Sequence, residues 1–113
     1  MKRKILISLI IFSFFSFIAL ALSIKIRVQV VDVSTTATKL PSSPLVGRKY
    51  IRIQNVGTET IYIGNSSVTA DTSSTGGFQL KPYATWAADF THNVDVYGIV
   101  ASGTGKALVE EGK

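Results

Sequence analysis

Asp89, His92 and Asp95 fall within seven residues, and His92 is the single histidine of the chain. Two carboxylates beside an imidazole could hold a divalent metal or exchange protons near neutral pH. The setting argues otherwise. His92 and Asn93 stand where a hairpin turn is expected, and Asp, Asn and His are frequent in turns because they tolerate turn geometry. Ser102-Gly103-Thr104-Gly105-Lys106 resembles the end of a phosphate-binding loop. That loop requires a glycine five positions before Gly105 and a hydroxyl residue after the lysine. Val100 and Ala107 occupy those positions, and seven residues after Lys106 are too few for the helix that would cradle a phosphate. The segment reads as a tight Gly-rich hairpin turn. No serine has the Gly-x-Ser-x-Gly setting of a nucleophile elbow. Asp71, Asp89, Asp95, Glu110 and Glu111 offer carboxylates, but their spacing selects no catalytic pair. With no cysteine, a disulfide scaffold, a thiolate zinc site, an iron–sulfur cluster and a cysteine nucleophile are excluded. The chain therefore reads as non-enzymatic, with no catalytic, metal or cofactor residue and no small-molecule substrate.

The remaining candidates concern binding. Asn65-Ser66-Ser67 has the form of a glycosylation sequon, which matters only in a eukaryotic secretory route; a turn is the favoured reading. Tyr50, Tyr62, Tyr83, Trp86, Phe90 and Tyr97 could form a sugar-binding platform, but aromatic side chains more often serve core and interface packing. The net charge is +5. Residues 1–27 carry five basic residues and no acid, while residues 28–113 carry seven of each sign. A nucleic-acid footprint needs basic residues clustered on the folded part. Arg48, Lys49 and Arg52 come nearest; on a strand Arg48 and Arg52 share one face, which reads as solvated. No nucleic-acid partner is expected.

The positive charge flanks an apolar run. Lys2-Arg3-Lys4 precedes Ile5–Leu22, which only Ser8, Ser13 and Ser16 interrupt. One reading is a secretory signal, with Ala19-x-Ala21 or Ala21-x-Ser23 permitting cleavage near residues 21–23. The other is a retained anchor. A helix over Ile5–Ile24 would span ~30 Å, the hydrocarbon thickness of a bilayer, and signal-peptide apolar regions are usually shorter, ~7–15 residues. The length favours an N-terminal transmembrane helix over 1–23, with Ile5, Leu9, Phe12, Phe15, Ile18 and Leu22 against lipid. The excess of basic residues before the run keeps the N-terminus inside and delivers the domain outside. If the segment is cleaved, the product is secreted.

Beyond the run the pattern is β. Ile24-Lys25-Ile26-Arg27-Val28-Gln29-Val30 alternates apolar with polar, the signature of a half-buried strand, and the phase slip at Val30-Val31 suggests a bulge. Residues 24–33 read as one extended strand. Residues 34–45, rich in Ser, Thr and Pro, read as a linker or long loop. Residues 46–113 read as a β-sandwich domain, with strands near 47–55, 59–64, 66–70, 77–81, 84–90, 94–101 and 106–110. Short strands punctuated by Gly, Asn and Pro indicate an all-β fold: one small antiparallel sandwich or barrel of about seven to eight strands after one N-terminal helix. Alternation predicts a core of Ile51, Ile53, Ile61, Ile63, Phe78, Leu80, Ala84, Trp86, Ala88, Phe90, Val94, Val96, Gly98, Val100 and Val109. Tyr97, Ile99 and Leu108 fall on the opposite faces of their strands. That placement fits either a strand buried on both sides or a subunit interface; with Ile24, Ile26 and Val28 these residues form a candidate interface.

A longer pattern runs through Arg52-Ile53-Gln54-Asn55-Val56-Gly57, Ile61-Tyr62-Ile63-Gly64, Val68-Thr69, Gly77-Phe78-Gln79-Leu80-Lys81-Pro82, Val96–Gly103 and Leu108-Val109-Glu110-Glu111. Over about residues 47–111 it resembles a small β-domain of bacteriophage virion structural proteins. The resemblance implies a capsid-, tail- or spike-associated sandwich without enzymatic activity. The apolar N-terminal segment departs from that pattern, and would fit a virion with an internal membrane or a phage-derived domain exported by a cell. The expected function is that of a membrane-anchored virion subunit. Its partners would be the lipid bilayer and other copies of itself or coat proteins. The alternative is an exported surface or filament subunit that assembles by strand addition through residues 24–33.

Overall fold

β-branched residues alternate with polar ones in the first, third and fourth of the eight strands that form among residues 25–90 and 92–113, which the computed structural model describes. They are β1 (Ile26–Val33), β2 (Thr38–Lys39), β3 (Tyr50–Asn55), β4 (Ile61–Gly64), β5 (Phe78–Leu80), β6 (Thr85–Asp89), β7 (Tyr97–Val100) and β8 (Gly105–Gly112). They build two antiparallel four-stranded sheets, ordered β1-β8-β3-β6 and β2-β7-β4-β5. The all-β expectation holds, and no helix occurs among the described residues. The expected N-terminal helix lies outside those residues.

The core lies between the sheets. One sheet supplies Val33, Ile51, Ile53, Ala107 and Val109, and the other Ile61, Ile63, Leu80 and Val100. Burying each large aliphatic side chain contributes roughly 1.5–3 kcal/mol, which supports a small domain lacking disulfides. Gly98 faces inward in register with Ile63. A Cβ there would stand 2.9 Å from Leu40 Cδ1, so the glycine makes room for that leucine.

Several expectations change. The expected bulge at Val30-Val31 is absent, because β1 keeps unbroken register with β8 from Ile26↔Gly112 to Val33↔Gly105. The stretch near 66–70 forms only a single bridge, Thr69 to Gly76. The connections expected to be hairpins mostly cross between sheets. β3 and β4, β5 and β6, and β7 and β8 each lie in different sheets; only β4 and β5 are consecutive strands paired together. A short Gly- or Pro-bearing turn serves both purposes, so its composition does not distinguish them.

Residues 34–45 are a long connection that packs on the sheets. Thr38–Lys39 pairs with β7, Leu40 N–H donates to Val96 O, and Leu40 is fully buried. The described fold is therefore continuous from β1 to β8. Phe78 and Val94, expected in the core, are exposed.

Candidate functional site

Strict alternation divides β1 into two faces. Val33 is 0% exposed and fixes the inward face, on which Val31 also packs against the core. A period of two then sends Ile26, Val28 and Val30 outward, where they are 62%, 53% and 57% exposed. Across the strand pair Val30 lies opposite half-buried Leu108, Val28 opposite Glu110 and Ile26 opposite Gly112. At the far end Lys106 Nζ meets Asp32 at 3.0 Å. Among the described residues β1 is the edge of its sheet and pairs only with β8. Its other edge presents backbone donors and acceptors without a strand neighbour among the described residues.

The six expected interface residues therefore separate. Ile26, Val28 and Leu108 share this outer face, joined by Val30. Tyr97 and Ile99 lie on β7 in the other sheet; Ile99 is buried and Tyr97 half-buried. Ile24 lies outside the described residues, as do the anchor residues Ile5, Leu9, Phe12, Phe15, Ile18 and Leu22. Among the described residues no helix is long and apolar enough to cross a membrane.

The inward face of β1 also carries Arg27, and this leads to a group that the strand pattern conceals. Gly105, Ala107, Val109 and Glu111 alternate along the inner face of β8, and Glu111 is completely buried. Its Oε1 accepts from Arg27 Nη2 at 2.7 Å and Nε at 3.2 Å. Its Oε2 accepts from Arg48 Nη1 at 2.9 Å and from Leu45 N–H at 2.9 Å. Burial alone would push the carboxyl up, but hydrogen bonds from Arg27, Leu45 and Arg48, with the Arg27 charge, hold it below the ordinary value. Arg48 also donates to the Leu40 and Val94 carbonyls and sits 5.4 Å above the Phe90 ring. This corrects the sequence reading, because Arg48 is buried before β3 begins and does not share a solvated face with Arg52. The alternation Ala107-x-Val109-x-Glu111 is the signal that marks Glu111 as inward. The network ties β1, the 40–48 segment and β8 together where the chain enters the fold.

The acid–imidazole trio stays dispersed. Asp89, His92 and Asp95 are all exposed, and Asp95 pairs with Lys39 at 3.5 Å. Among the described residues no group of three or more His, Asp or Glu is placed to hold a metal ion. Asn55 has a structural role at the β3–β4 crossing. Its Nδ2 donates to Glu59 O at 2.7 Å and Leu80 O at 2.8 Å, and its Oδ1 accepts from Gly57 N–H.

Fold and surface together define a two-sheet, β-sandwich-like protein in which β1 forms one long, apolar edge without a strand neighbour among the described residues. No family model matches the chain, and neither a curated protein nor a solved structure matches it.

Proposed function

We propose that this chain is a non-enzymatic structural subunit of a virion, held at a membrane by residues 5–22 and joined to its neighbours through the outer face and edge of β1. The apolar stripe Ile26, Val28 and Val30 on a free eight-residue edge strand supports this reading. Natural edges are usually short, charged or covered, and one that is long and apolar favours association. The stripe begins directly after the apolar segment, so subunits rooted in one bilayer would present it at the same height. Peptide mass spectrometry of density-purified particles tests the location. Recovery of the chain with residues 1–23 intact supports the reading; absence from particles while it stays in host membranes removes it. The chain has no cysteine, so a Val28→Cys variant tests the contact directly. Crosslinked copies are expected in the intact assembly.

The second reading, an exported subunit that assembles by strand addition through residues 24–33, draws on a different observation: among the described residues β1 pairs on one side only. It requires a mature chain that begins near residue 22 or 24, found in filaments or free medium.

A further inference from the structure

We propose that Asn65 is an N-glycan acceptor whose first sugar lies over an aromatic cleft beside it. The inference rests on the reading that residues 25–113 are delivered across a membrane. The cleft opens between β5 and β6, the edges opposite β2 and β1, and its volume is about 340 Å³. Its lining includes Asn65, Phe78, Trp86, Ala88, Phe90 and Val94. Phe78 faces inward in register with Ile63 and is nevertheless 62% exposed. β5 has three residues, and no further strand among the described residues covers it. An exposed apolar surface of this kind marks a place where something else binds.

Asn65 supplies that something. Asn65-Ser66-Ser67 satisfies the acceptor pattern, since the middle residue is not proline. All three residues are exposed, in a turn closed by Val68 N–H donating to Asn65 O at 3.0 Å. Ser67 N–H donates to Asn65 Oδ1 at 2.9 Å. A donor on the amide oxygen draws electron density from Nδ2 and makes its N–H more acidic. Among the described residues neither Nδ2 nor the Ser67 hydroxyl has a hydrogen-bond partner, so both are available to a transferase. The donor is an oligosaccharide linked to a lipid phosphate on the outer side of the membrane. One Nδ2–H bond breaks and an Nδ2–C1 bond forms. The C1–O bond to phosphate breaks, the lipid phosphate leaves, and a base on the transferase takes the proton. The C–H face of a pyranose attached at Nδ2 can then lie against Phe78 and Trp86, which replaces water over the apolar floor.

The test uses the full chain purified from membranes or particles of its source. Mass spectrometry of the peptide carrying Asn65 is expected to show at least one added saccharide, lost in Asn65→Gln and in Ser67→Ala. Trp86 is the single tryptophan, so its quenching by acrylamide reports on the cleft. Quenching is expected to be weaker in the glycosylated chain than in Asn65→Gln. A bare Asn65 on a chain that external protease reaches overturns the proposal and leaves delivery standing. A bare Asn65 on a chain shielded from external protease overturns both. A glycosylated chain whose Trp86 is quenched as readily as in Asn65→Gln overturns the covering of the cleft.

Discussion

β1 and β6 are the two edges of one sheet, and they divide their apolar residues differently between its faces. β6 turns Trp86 and Ala88 inward and Thr85 and Asp89 outward, the arrangement expected of a half-buried strand. β1 turns three of its apolar residues outward and carries Arg27 on its inner side. The difference teaches that alternation fixes which residues share a face, whereas the neighbours decide which face is buried. On β1 two groups decide it. Val33 fills the core at one end, and Arg27 meets the buried Glu111 at the other.

That comparison is broken most severely at Glu111. Glu111→Gln leaves Arg48 buried without its counter-charge, and chemical denaturation is expected to show a loss of about 3–5 kcal/mol. The pH dependence has a defined sign. Because the folded carboxyl titrates below its ordinary value of 4.5, its contribution is complete above that value. The contribution is lost as the pH falls from there through the depressed folded value. Stability of the native chain should therefore drop over that acid range, and Glu111→Gln should flatten this part of the profile.

The next largest effect separates the two edges directly. Trp86→Ala removes a half-buried side chain packed on the core and should cost about 2 kcal/mol, less than a fully buried tryptophan would. Val28→Ala on β1 should change stability by less than about 0.5 kcal/mol, since an exposed position has little packing to lose. Equal losses in paired thermal melts would contradict the assigned faces. Val28→Lys combined with Val30→Lys sharpens the contrast, because folding should be nearly unaffected while association between copies falls in analytical ultracentrifugation.

A gain rather than a loss is expected at the turn that leads into β6. Tyr83 sits at φ 66°, the left-handed region, after Pro82, and Ala84 N–H donates to Lys81 O at 2.9 Å. The side chain is exposed, so little contact opposes relief of that strain. Tyr83→Gly should raise stability by up to about 1 kcal/mol, read as a higher melting temperature.

Much of the fold was legible in the order of residues. Ile51, Ile53, Ile61, Ile63, Leu80, Val96, Val100 and Val109 all lie in the core where their alternation placed them. The outward position of Leu108 and the turn at Lys81–Tyr83 were legible for the same reason, because each depends on adjacent residues. The outer stripe was visible in part. Ile26, Val28 and Val30 shared one face of the alternation, although only Ile26 and Val28 were expected at the interface.

By itself the sequence determined the β class, the period-two faces and the turn positions, because these follow from local backbone sterics and side-chain chemistry. Only the tertiary structure decided which turns cross between sheets, which face of β1 is buried and that Arg48 and Glu111 meet inside. Those outcomes depend on residues far apart in the chain. Arg48 and Glu111 are 63 positions apart. Nothing local to either residue states that its partner is near enough to offset the cost of burying a charge.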